Sequence, residues 1–464
     1  MKEENGKEII LINDKKIEQM ETDTKDKYFS SKEKIFYILK GISSINSAII
    51  HNLGYSSLWV LGYTTIYLIS FRRHFNTNIS FPYSYNYIPL MNITYGFASP
   101  ISGRIEDKFG SKKTIFISSL VICISFIIMY FSRSIYLDYI LVCLIGFGIA
   151  LGINISKKNG CSFFMNRKAL ICGIINLFSN AFSFFLIVYY EIFILNYDMK
   201  YPYIDNFYFG EEIFINYQKL IIFQILLILS TGLVSLILYF KNDPKETIKF
   251  GFNVKAKTEE NKNGKDEIEK KKIPKNLKIK KAINNKRTVR LIIILFLFFP
   301  MINIINGILR MDFEYYFFFG AFYYASGCIS SIIFGIIGDC VQFRILFVIL
   351  SILLSFTSFI YIYYFEEPFI LLLITILVSF IDNSFNIIFD SHIMKVYEME
   401  NYIYIWGIIR ASGRVSEIIG ILFNLFLNIR SSIYKIIYGI FGVFNLISIY
   451  IGLFETEDKF KYEN

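Results

Sequence analysis

Gly103-Arg104-Ile105-Glu106-Asp107-Lys108-Phe109-Gly110-Ser111-Lys112-Lys113 is a charged, glycine-bounded stretch between two strongly apolar runs. A sparser version follows. Gly335, Asp339 and Arg344 lie 232 positions after Gly103, Asp107 and Lys112, an offset of half the 464-residue chain. Gln342 stands where a counterpart of Gly110 would fall. A tight charged turn repeated once per half, in an otherwise apolar sequence, predicts a membrane protein built from two related halves.

Composition points the same way. Apolar residues make up 54% of the chain and mean hydropathy is +0.47, more apolar surface than a soluble core of this length would cover. A bilayer removes that problem, because lipid is itself an apolar solvent. Residues 1–33 are hydrophilic and mixed in charge, without the apolar core of a signal peptide. The six cysteines show no disulfide or zinc spacing and read as packing residues. Heavy use of Phe, Tyr, Ile, Asn and Lys suggests an AT-rich genome, such as that of a malaria parasite.

A helix needs about 20 apolar residues to cross the hydrocarbon core. Such runs are expected near 38–71, 86–104, 113–132, 138–157, 169–194 and 217–240, and again near 289–309, 315–338, 345–364, 368–389, 403–427 and 433–454. The first is too long for one simple crossing. Between the halves, Lys241–Arg290 holds 17 Lys or Arg against seven Asp or Glu, which accounts for the chain's net charge of +10. With no aromatic interleaving it reads as a solvated linker and not as a nucleic-acid surface. The expected organisation is a cytoplasmic tail at 1–33, a six-helix bundle at 34–240, a basic cytoplasmic linker at 241–288, a second bundle at 289–454 and a cytoplasmic tail at 455–464. The positive-inside rule puts the linker, the 104–113 loop and the 157–168 loop in the cytoplasm with both termini.

The opening stretch follows a pattern of Gly, three residues, Asp, a basic residue, one residue, Gly, then basic residues, matched at Gly103, Asp107, Lys108, Gly110, Lys112 and Lys113. It resembles the loop between helices 2 and 3 of the major facilitator superfamily. Helix number, central linker and repeat extend the resemblance over the whole chain. The resemblance implies an all-α integral membrane fold of twelve transmembrane helices in two pseudo-symmetric bundles, with this loop as a gate. Gly103 permits two helices to approach closely, and Gly110 a turn that other residues resist. Asp107 is expected to face the positive N-terminus of helix 11, whose start carries Glu398 and Glu400 as partners for Arg104, Lys112 or Lys113. By pseudo-symmetry Asp339, with Gly335 and Arg344, faces the start of helix 5 near Arg167 and Lys168. Simple topogenic charge is the other reading of Lys112 and Lys113. Gly146-Phe147-Gly148-Ile149-Ala150-Leu151-Gly152, and Phe164-Met165-Asn166-Arg167-Lys168-Ala169 with Gly173, are similar to the oxalate/formate antiporter and monocarboxylate transporter branch. That branch's acidic-Gly motif is absent around Gly54–Gly62, and the middle of helix 8 holds no cation.

Ionisable groups inside apolar runs cost roughly 2.5–3.5 kcal/mol each on insertion scales and mark cavities or partners. Arg410, Arg414 and Glu417 share one face of helix 11, and Asp382 lies at similar depth in helix 10. Two readings stand side by side. Arg414 or Arg410 presents its guanidinium to a carboxylate substrate, or Arg410, Arg414, Asp382 and Glu417 neutralise one another. Asn303 and Asn306, with Asn176 and Asn180, are further candidates for the cavity wall. His51, Asp382 and Glu417 are candidates for proton coupling, with polar packing as the alternative for His51. No catalytic constellation, metal spacing, cofactor motif or nucleotide-binding loop is present. The expected function is a secondary transporter, not an enzyme, moving a small monocarboxylate-like anion with a proton or by exchange. It is expected to act as a monomer in a plasma or organelle membrane. Alternatives are a carrier of a neutral metabolite or amino acid, a non-transporting nutrient sensor and a polytopic membrane enzyme.

Overall fold

The computed structural model describes residues 32–75, 86–190, 192, 212–242, 275–309, 316–364, 367–397, 399, 401–426 and 432–455. These residues are helices joined by short turns, with no strand among them. α1 (32–60) continues through a 3-10 turn at Leu61–Thr64 into α2 (Thr65–Phe75), so the overlong first run is one continuous helical path. There follow α3 (Tyr87–Phe109), α4 (Ser111–Phe131), α5 (Ile135–Ser162), α6 (Lys168–Tyr189) and α7 (Glu212–Leu238). A short basic helix, α8 (Lys275–Ile283), precedes α9 (Lys286–Leu309), α10 (Tyr316–Cys340), α11 (Phe343–Tyr364), α12 (Pro368–Val396), α13 (Tyr402–Phe426) and α14 (Ser432–Gly452).

The 232-residue offset seen in the charged loop governs whole helices. Shifting the bounds of α3, α4, α5 and α6 by 232 gives 319–341, 343–363, 367–394 and 400–421. α10, α11, α12 and α13 occupy 316–340, 343–364, 368–396 and 402–426. Gly110 ends α3 with φ of +81°, the conformation that makes a glycine necessary at this turn.

Among the described residues seven helices are long and apolar enough to cross a bilayer: α4, α5, α6, α7, α10, α11 and α12. Their outer faces carry exposed Ile, Leu and Phe, such as Ile124, Ile237, Ile352 and Phe369, as lipid contact requires. The chain is an integral membrane protein. Helices such as α3 and α13 are less apolar because they bear the charged turn and the buried arginines.

The halves meet along two crossings, α3 on α13 and α6 on α10, and small residues let the backbones approach there. A Cβ at Gly407 would lie 2.5 Å from the Pro100 nitrogen, and one at Gly173 only 2.7 Å from Gly335 Cα.

Far from the charged turn, the first half is fastened by a fully buried ion pair. Arg72 and Asp138 are 0% and 1% exposed. Arg72 Nε and Nη2 donate to the two carboxylate oxygens at 2.5 and 2.9 Å, and Nη2 also donates to Met129 O (3.1 Å) and Tyr217 Oη (2.6 Å). Nη1 donates to Ser132 O. This ties α2 to α5, α7 and the end of α4. Removing one partner strands the other charge, so Asp138→Ala is expected to destabilise the fold by about 3–5 kcal/mol. A thermal melt of the detergent-purified protein checks this, and an unchanged melting temperature refutes it.

Candidate functional site

A cavity of about 220 Å³ lies between the halves. α1 turns Asn52, Tyr55, Ser56 and Trp59 toward it, and α6 turns Asn176, Ser179, Asn180 and Ser183. Both sets have the three-and-four spacing that puts side chains on one helical face. The second half supplies Asp382, Asn383, Asn386 and Asp390 from α12 and Trp406, Arg410 and Arg414 from α13.

Arg410 and Arg414 are 7% and 8% exposed. Aromatic rings replace part of their lost hydration. The Arg410 guanidinium carbon lies 4.6 Å from the Phe299 ring centre and 5.7 Å from that of Trp406. Arg414 lies 5.6 Å from Tyr95 and 5.9 Å from Phe299. Nε and Nη1 of Arg410 are buried with no hydrogen-bond partner among the described residues. Asp382 receives hydrogen bonds from Tyr323 Oη (2.9 Å) and Asn386 Nδ2 (3.0 Å) and forms no ion pair with either arginine among the described residues. Tyr323 and Asn386 satisfy the carboxylate, while the guanidinium groups lie over rings. The Glu417 side chain is outside the described residues, as are those of Asn303 and Asn306.

His51 is 2% exposed and not part of the cavity wall. Its Nε2 lies 2.9 Å from Tyr55 Oη, which does line the cavity and reaches Ser118 Oγ at 2.5 Å. Asn176 and Asn180 both face the cavity. Among the described residues no three or more His, Cys, Asp or Glu side chains converge as a metal site.

The end of the bundle that carries the charged turn is closed by bonds between the halves. At the cavity floor Lys157 Nζ of α5 lies 3.4 Å from Asp390 Oδ2 of α12, with 11% and 4% of the side chains exposed. Trp406 Nε1 donates to Asp390 Oδ1 at 2.6 Å. Asp339 accepts the backbone N–H groups of Ala169 and Leu170, both at 3.0 Å, at the N-terminus of α6. It thus takes the helix end and its dipole, while Arg167 is exposed. Lys395 Nζ adds a 3.6 Å contact to Asp339. On the related side Tyr404 Oη donates to Asp107 Oδ2 at 2.9 Å, and Gly103 packs under the Tyr404 ring.

The other gate residues divide. Lys112 Nζ lies 5.8 Å from the Tyr239 ring centre, within the first half. Arg104 borders a surface groove with Asp107 and Lys108. Lys113 and Arg344 are exposed. Glu398 and Glu400 lie outside the described residues. Sequence reasoning missed Lys157, Asp390, Trp406, Tyr404 and Lys395. One signal existed: Lys157 and Asp390 are 233 positions apart, one off the internal repeat.

No protein-family model matches this sequence, and no curated protein matches it by sequence. The fold does match a solved one. The major facilitator superfamily proton:xylose symporter XylE, bound to 6-bromo-6-deoxy-D-glucose, superposes with a TM-score of 0.60. The match covers 88% of this chain and 94% of that one at 11% identity. At such identity the likeness establishes the fold, and the chain has the major facilitator fold.

If Lys157 and Asp390 hold the floor shut, Asp390→Asn should loosen it, because breaking a buried pair strands its partner charge. A cysteine placed at Ser56 in an otherwise cysteine-free background should then label several-fold faster from the floor side in oriented vesicles. The charge exchange Lys157→Asp with Asp390→Lys should restore slow labelling. Equal rates in all three would exclude the role.

Proposed function

We propose that this chain is a secondary transporter that moves a small organic anion of monocarboxylate type across a membrane by alternating access. Arg410 carries this reading. It is a buried cation on the cavity wall, with N–H groups that no atom of the described residues satisfies, and such donors are costly unless a ligand accepts from them. Guanidinium groups suit carboxylates through planar, charge-assisted hydrogen bonds.

In this proposal the path has twelve crossings. α1 and α2 form one, α3–α7 and α9–α14 the rest, and α8 belongs to the cytoplasmic linker of 241–288. The bundles at 34–240 and 289–454 rock about the central site, with both termini in the cytoplasm and the monomer as the working unit. Release toward the cytoplasm requires Lys157 and Asp390 to part and the Asp107 and Asp339 contacts to open. Asp382, a carboxylate in the cavity beside two arginines, is better placed than His51 to carry a coupled proton. The alternative to coupling is exchange of one anion for another. The membrane is a plasma or organelle membrane, and the branch resemblance to monocarboxylate carriers belongs to this proposal.

A neutral solute is the second reading. It is favoured by the amide-rich wall of α1 and α6, and by the sugar derivative bound to XylE.

Uptake of labelled monocarboxylates into proteoliposomes at two pH values tests the proposal. Arg410→Gln is expected to lower uptake about 100-fold or more at unchanged protein content, since it removes a buried charge partner. Arg410→Lys should recover only part of it, lacking the planar donor set. Accumulation of neutral solutes without any anion would install the second reading instead.

A further inference from the structure

The two walls of the cavity differ in chemistry. Among the described residues its charged side chains are Lys157, Arg410 and Arg414 against Asp382 and Asp390. Lys157 and Asp390 already satisfy each other at 3.4 Å, and Asp382 is held by Tyr323 and Asn386. Rings lie beside both guanidinium groups, so binding falls to their N–H edges.

The wall supplied by α1 and α6 is neutral, polar and incompletely used. Asn176 and Ser179 make no side-chain hydrogen bond among the described residues, although both line the cavity. Asn52 donates through Nδ2 to Ala48 O (2.7 Å) and Ser156 Oγ (3.3 Å), which leaves its Oδ1 open as an acceptor. Amides and hydroxyls both donate and accept, and that pairing ability matches the hydroxyl groups of a substrate. An aliphatic chain in the same place would leave these groups without water and without partners.

We infer that the substrate is a polyhydroxylated monocarboxylate, of the sugar-acid or hydroxy-acid class. Its carboxylate lies at Arg410 and Arg414, and its hydroxyls pair with Asn52, Asn176 and Ser179. This rests on the organic-anion reading and narrows it.

The chain has two tryptophans, and both Trp59 and Trp406 line the cavity, so intrinsic fluorescence reports occupancy directly. The full-length protein in detergent is titrated with gluconate, hexanoate and glucose, and the same three compounds are tested for counterflow in proteoliposomes. Gluconate is expected to give a saturable response and counterflow. Hexanoate should be at least about 100-fold weaker, because a site built for hydroxyl groups rejects analogues that lack them. Asn176→Leu should reduce the gluconate-to-hexanoate preference about tenfold. That ratio is measured within one variant, and a misfolded protein would bind neither acid. Hexanoate binding and moving as well as gluconate overturns the inference and leaves the organic-anion reading standing. Glucose moving while neither acid does overturns both. No fluorescence response to gluconate overturns the inference whatever the other compounds do.

Discussion

Lys157 and Asp390 face each other across the floor of the cavity, one from each half, and the closure of that end of the bundle is organised around that contact. Neither group could sit alone at this depth, since burying an unpaired charge costs several kcal/mol. Each half therefore stabilises the other's buried ion. Trp406 fixes the carboxylate from the side, while Asp107 and Asp339 hold the related helix crossings nearer the surface. A closed floor of this kind defines the cavity above it. It also makes closure reversible, because the pair can be broken by anything that neutralises or replaces one member.

Above the floor the balance is different. Arg410 and Arg414 both lie against aromatic faces, and Asp382 accepts hydrogen bonds from a tyrosine and an amide. Cation–π contact is worth roughly 0.5–2 kcal/mol, enough to ease burial but not to satisfy every N–H. The Arg72–Asp138 pair shows the contrast: there every kind of partner is present, with carboxylate, carbonyls and a phenol all within bonding distance. One arginine is a fastening, and Arg410 is a group with bonding capacity in reserve. Organic-anion transport follows most directly from that difference, and it remains the proposal on which the hydroxy-acid inference depends.

Much was legible in the sequence because it depends on local rules. Apolar runs of membrane length predicted helix positions to within several residues, as α4 at Ser111–Phe131 and α11 at Phe343–Tyr364 show. The 232-residue offset gave the relation between the halves. The placing of Asp339 against the start of α6 was readable because a carboxylate beside a helix N-terminus is a recurring electrostatic arrangement. Arg410, Arg414 and Asp382 were legible as cavity groups because charge within an apolar run has few other places to go.

Partner choice was not legible. Asp382 meets Tyr323, Lys157 meets Asp390, and Asp107 meets the hydroxyl of Tyr404, from residues 59 to 297 positions apart. Nothing in the spacing of a single helix fixes which face of a distant helix lies opposite. His51 was open between proton coupling and polar packing, and in the structure it is buried against Tyr55, which lines the cavity. By itself the sequence determined a membrane-embedded, helical, twofold-repeated chain with a charged turn in each half, since hydropathy and backbone freedom act over a few turns of chain. Only the tertiary structure decided which charges pair, which stay available and where the cavity closes. Those outcomes depend on helix rotation and close crossing at glycines such as Gly173 and Gly407, which packing sets once the halves meet.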